Sequence, residues 1–187
     1  GATGFTFSTH ESNLKLLAGL KANRRDLLES MDYYVLVPYG QSYVRKANVG
    51  GTLALARSTV FAMLHSYSAF VDLLNALLTL KPEIFFGSLL RTELAPYLEI
   101  IPKSRLRALL LHEIVTELLI AFDLGDLLQF LDNYVRNRLG LAFGLETRNL
   151  GQLFQFLYRV DCRPEYVMTP INPLGYQMAP DKMTAER

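Results

Sequence analysis

The chain has no tryptophan, one cysteine, three histidines and little charge: 20% of its 187 residues are Asp, Glu, Lys or Arg. The single cysteine, Cys162, excludes an intramolecular disulfide and a cysteine metal cluster, so a reducing cytoplasm is the expected compartment. No base adjoins Cys162, which reads as a small, partly buried residue rather than a nucleophile. Nineteen basic against eighteen acidic residues give a net charge of +1, without the basic excess of a nucleic-acid binder. The first residues carry no signal-peptide pattern. One segment, 58–80, is long enough to span a bilayer. Its His65, Ser68, Asp72, Asn75 and Thr79 recur at helical spacing as one polar stripe. The expectation is therefore a buried or interface helix lining a pocket or facing a second subunit, and no membrane association.

Half of the residues are hydrophobic, which excludes a disordered chain and fits a large core, extended by a subunit interface in a homo-oligomer. The length suits a single domain, residues 1–187, with 174–187 as an exposed arm or lid.

Along the chain, GFTFST (4–9) has the aromatic and β-branched character of a strand. A helix follows from about Asn13 to Glu29, with Thr9 or Ser12 as its cap. DYYVLV (32–37) is a buried strand ended by Pro38. The spacing then predicts a long helix over 52–80, a third strand or bent connection over 83–89, and helix over 90–98. A helix from Arg105 to Phe122, capped by Ser104, is expected next, then one from Asp126 to about Arg138. LGLAFGLE (139–146) is read as a strand, 149–160 as a helix, and EYVMTP (165–170) as a strand.

Two stretches correspond: GFTFSTHESNLKLL (4–17) and GLAFGLETRNLGQL (140–153). Gly4, Phe7, Asn13, Leu14 and Leu17 align with Gly140, Phe143, Asn149, Leu150 and Leu153. Tyr34-Val35 and Pro38 align with Tyr166-Val167 and Pro170 at a spacing shorter by four. Each unit is strand, helix, strand, so each predicts a parallel pair joined by a right-handed crossover. The correspondence is an internal repeat, or two unrelated units under the same physical constraints. The fold class expected is α/β: a partial barrel or open parallel sheet, with a large helical middle. A complete eight-stranded barrel takes ~250 residues. The alternative is an all-α protein.

In parallel sheets ligands collect beyond the carboxyl ends of the strands. His10 and Glu11 stand at that edge in the first unit; Glu146, Thr147 and Arg148 stand there in the second. His10 is the candidate acid or base and Glu146 its partner; the other reading of His10 is an ordinary helix start. Arg45 and Lys46, before the two glycines of RKANVGGT, and Arg148 are the candidate anion contacts. The loop matches no phosphate-binding fingerprint. Asn172, between Pro170 and Pro173, is a candidate ligand contact or a turn residue. HEIVTE (112–117) is not a zinc helix motif and reads as the polar stripe of an amphipathic helix. No nicotinamide, flavin or metal is implied, and the cofactor is unassigned. The function expected is a soluble enzyme acting on a small anionic molecule at the carboxyl edge of the strands. The alternative is a non-catalytic helical module that binds a protein partner or an apolar ligand, supported by the leucine-rich 105–138.

Overall fold

The computed structural model describes residues 3–37, 90, 92–172 and 174–179. The long helix expected over 52–80, its polar stripe, the segment 83–89 and the loop bearing Arg45 and Lys46 lie outside the described residues.

The fold is α/β. Five strands, β1 (Gly4–Ser8), β2 (Asp32–Val37), β3 (Leu106–Leu111), β4 (Ala142–Glu146) and β5 (Tyr166–Met168), form one sheet in the order β1-β2-β3-β4-β5. All four pairings are parallel, and the sheet curves into a half-barrel. This excludes the all-α alternative. Among the described residues the α-helices are α1 (Glu11–Asn23), α2 (Arg25–Ser30), α3 (92–98), α4 (Glu113–Ala121), α5 (Gly125–Tyr134) and α6 (Leu150–Arg159). Among the described residues no helix is long and apolar enough to cross a membrane.

Alternation along the strands divides the sheet into two faces. Phe7, Tyr33, Val35, Val37, Leu109, Leu111, Phe143 and Leu145 pack in one cluster with residues of all six helices, such as Leu17, Leu28, Leu94, Leu119, Leu128 and Leu153. Sequential parallel strands with crossovers of one hand place their helices on one face, which becomes the convex side. The opposite, concave face carries Tyr34, Leu36, Ala108, Leu110, Ala142 and Met168. Its curvature is visible in two side chains. Tyr34 on β2 and Tyr166 on β5 are three strand spacings apart, roughly 14 Å in a flat sheet. Yet their rings meet edge to face at 5.2 Å between centroids. The ladder partners of Tyr34 are Ala108 and, beyond it, Ala142, and that of Tyr166 is Gly144, so small residues leave room for the two rings to lean inward. Burial, then the neighbouring Tyr166, pushes the Tyr34 hydroxyl above its ordinary pKa.

Three sequence expectations are corrected. The helix expected over 13–29 is two helices, because α1 already matches the strands it covers. Thirteen residues rise about 20 Å, close to the ~17 Å of a five-residue strand. The chain breaks at Arg24 and returns as α2 to Asp32, which pairs with Gly4. The cap of α1 is His10, not Thr9 or Ser12.

The helix expected over 105–122 is β3 followed by α4, and Ser104 lies in a 3-10 turn (Lys103–Arg105). Leu106, Ala108, Leu109, Leu110 and Leu111 are all buried. A run buried on alternate sides needs cover on both faces, which a central parallel strand provides. A bulge between Tyr33 and Tyr34 leaves Arg107 as the extra residue of β3, and it turns to Asp32 at 2.9 Å. The Arg107 bond holds the Asp32 carboxyl below its ordinary pKa.

The strand expected over 139–146 begins at Ala142. Val135–Leu139 is instead a π-helical turn ended by Gly140 at φ +67°, a backbone that favours glycine.

Candidate functional site

The site is built at the carboxyl ends of β3 and β4, adjacent strands in the sheet. β3 ends at Leu111, but the ladder continues one step, with the His112 N–H donating to the Val37 carbonyl at 2.8 Å. His112 then caps α4, its Nδ1 accepting the Ile114 N–H at 3.4 Å. Leu110 lies on the concave face and Leu111 on the convex, so His112 returns to the concave side. On β4, Leu145 faces the helices and Glu146, paired with Met168, faces the concave side. The two side chains meet at the rim, with Glu146 Oε2 4.0 Å from His112 Nε2. The same oxygen accepts the Glu113 N–H at 3.0 Å. The carboxylate is thus held by the first turn of α4, where backbone donors point outward and favour an anion.

A second layer fixes this edge. The Arg148 guanidinium grips Glu113 through both carboxylate oxygens, with Nε to Oε2 at 2.6 Å. The bond to Glu113 raises the guanidinium above its ordinary pKa. One turn further along α4, Glu117 Oε1 accepts the buried Thr147 hydroxyl at 2.7 Å and the Arg148 N–H at 3.2 Å. Thr147 Oγ1 in turn accepts the Asn149 N–H at 3.0 Å. Glu113 and Glu117, spaced i, i+4, therefore clamp the loop that follows Glu146 onto α4.

The first strand ends in a related way. His10 caps α1, its Nδ1 accepting the Ser12 N–H at 3.2 Å. Its carbonyl accepts the Tyr97 hydroxyl at 2.8 Å, and Thr9 donates to Glu93 at 2.6 Å. Glu93 and Tyr97 are again an i, i+4 pair, here on α3. Burial, followed by the Glu93 charge, pushes the Tyr97 phenol up to about 12.

The residues expected to form the site are only partly brought together. Glu146 and Arg148 lie in the clamp. His10 does not pair with Glu146, because β1 is separated from β4 by β2 and β3. The histidine beside Glu146 is His112. Arg148, expected to bind an anion, is engaged by Glu113. Asn172 is a turn residue: its amide donates to the Tyr176 carbonyl at 2.8 Å and accepts the Tyr176 N–H at 2.9 Å. The tail beyond it is anchored as well as exposed. Leu174 and Tyr176 face solvent, but Met178 is buried and the Ala179 N–H donates to the Arg148 carbonyl at 3.0 Å. Among the described residues no group of three His, Cys, Asp or Glu side chains is placed to hold a metal ion.

Cys162 stands apart from this edge. It is buried, with Sγ 3.9 Å from Asp132 Oδ2. Burial first, and the Asp132 charge second, raise its thiol from about 9 to about 11. Stability from this shift is complete below pH 9 and is lost as the pH rises through 11. At pH 8 a disulfide reagent is expected to label the folded chain at least about 100-fold more slowly than the unfolded chain. Equal rates in absorbance-detected labelling would contradict the burial of this thiol.

The sequence reading missed His112, Glu113 and Glu117 as site residues. A signal for them was present: a short run followed by His-Glu occurs twice, as FTFSTHE and ALLLHE. Comparison of the chain with protein-family models, with curated proteins and with solved structures finds no match.

Proposed function

We propose that the chain is an enzyme acting on a small polar molecule at the carboxyl edge of its parallel strands, with His112 and Glu146 as the proton-handling pair. One observation carries this reading: an imidazole nitrogen and a carboxylate oxygen 4.0 Å apart at the carboxyl ends of adjacent strands. That separation is too long for a hydrogen bond between them, and suits two groups that reach one small substrate. The anionic character expected of the substrate remains part of this proposal; Arg148 is engaged by Glu113, and Arg45 and Lys46 lie outside the described residues. The rival helical module loses its main support. The leucines of 105–138 that favoured it, among them Leu109, Leu119, Leu128 and Leu131, are buried in the chain's own core.

A cytoplasmic homo-oligomer, with a second copy beside the half-barrel, belongs to the same reading. Native mass spectrometry against a denatured control tests both parts, because it reports subunit number and any retained small molecule. The expected result is an oligomer carrying a polar ligand that Glu146→Gln loses at unchanged Tm. A bare monomer whose Tm no member of a small-metabolite set raises would refute the enzyme reading and the oligomer together.

A further inference from the structure

The hydrogen bonds of the pair divide its labour, and this step rests on the reading just given. His112 Nδ1 accepts the Ile114 N–H, and a protonated imidazolium has no lone pair with which to accept. A ring that accepts this bond is a neutral one with its proton on Nε2, the nitrogen 4.0 Å from Glu146 Oε2. In this state the ring has no acceptor for a substrate proton; it offers a single N–H donor. Glu146 accepts one backbone N–H on Oε2, and among the described residues Oε1 takes no hydrogen bond. One group is thus equipped to accept a proton and the other to stabilise an oxygen without becoming charged.

We propose that the site enolises a small carbonyl compound, with Glu146 as the base and His112 as a neutral hydrogen-bond donor to the carbonyl oxygen. The Glu146 carboxylate takes the proton from the carbon next to the carbonyl. The C–H electron pair becomes the new carbon–carbon π bond, and the carbonyl π pair moves onto oxygen, where the His112 Nε2–H stabilises it. Return of the proton from Glu146 to carbon reverses these movements and restores the carboxylate. The cycle uses no oxidant or reductant. A donor aimed at developing negative charge is worth about 10²–10³ in rate, and a positioned base about 10²–10⁴.

The test is hydrogen exchange into dihydroxyacetone and hydroxyacetone in heavy water, followed by proton NMR against a protein-free blank. A deuteron replaces the proton on Glu146 before its return, so the C–H signal decays. Exchange above the blank is expected for the wild-type chain, with a fall of about 100-fold or more in Glu146→Gln and in His112→Ala. His112→Gln, whose amide also presents an N–H, is expected to stay within about 10-fold of wild type. Nitrogen NMR of His112 is expected to show the proton on Nε2, whatever the substrate.

If His112→Gln is as slow as His112→Ala at equal Tm, the donor role is overturned and the pair survives as an ordinary acid and base. A proton found on Nδ1 overturns the same role without any substrate. No wild-type exchange with either probe overturns the carbonyl class, while ligand retention in the native mass measurement still decides the underlying enzyme reading.

Discussion

Replacing Phe143 with alanine is expected to destabilise the fold by about 3–5 kcal/mol. Phe143 is fully buried near the start of β4, on the convex face, with Leu109 as its neighbour on β3. Deleting the ring removes apolar burial and leaves a cavity that fixed strands cannot close. The backbone around it is held, with the Glu165 N–H donating to the Phe143 carbonyl at 2.9 Å and the Phe143 N–H to Glu165 Oε2 at 3.0 Å. Against a total stability of about 5–15 kcal/mol, this is a large fraction. Urea unfolding should show a lower midpoint at an unchanged slope. Phe154, exposed on α6, is the control, and its alanine variant should change stability by less than about 0.5 kcal/mol. Equal effects at the two positions would mean that the convex-face core is misassigned.

Phe143 also shows how far the sequence exposes this fold. Phe7, Val35, Leu109 and Phe143 are cross-strand partners in one register, so the two phenylalanines matched by sequence lie on one level of the sheet. The strands β1, β2, β4 and β5 were legible because each is a short run with aromatic or β-branched residues, bounded by polar or turn residues. β3 was not. LRALLL contains residues that favour helix, and no aromatic or β-branched residue marks it as a strand. What makes it a strand is burial on both faces, a tertiary fact that periodicity in a six-residue run does not reveal.

The loss of β3 hid half of the site. With 105–122 read as one helix, His112 falls in its interior; with β3 ending at Leu111, it falls at a strand end. Glu146 was legible as an edge residue, because the carboxyl end of β4 was placed correctly. Its partner was not, because treating the first and last units as equivalents linked it to His10 while the sheet order sets β4 beside β3. The Glu113–Arg148 and Glu117–Thr147 contacts join residues 35 and 30 positions apart, and follow only once that order is known.

Adding a single methyl group at Gly144 is expected to cost about 1–3 kcal/mol, and to disturb the concave face rather than the core. A Cβ built there would lie 2.7 Å from Leu110 Cγ, 3.0 Å from Tyr166 Cβ and 3.1 Å from the Tyr166 carbonyl oxygen. Two of these contacts belong to β5, a three-residue strand joined to the sheet through β4 alone among the described strands. Relief therefore requires Leu110 to change rotamer or β5 to move outward, and outward movement separates Tyr166 from Tyr34. It also carries Met168, the ladder partner of Glu146, away from the rim. Gly144→Ala should thus lower the urea midpoint and weaken the near-ultraviolet tyrosine dichroism together, with no tryptophan to obscure the signal. The same substitution at Gly19, within α1 with nothing inside 4 Å, should stabilise by roughly 0.5–1 kcal/mol. Opposite signs at the two glycines would show that close approach across the concave face, not backbone freedom, fixes glycine at 144. A Gly144→Ala chain as stable as wild type, with its tyrosine signal intact, would mean that Leu110 yields and that β5 is not held by this contact.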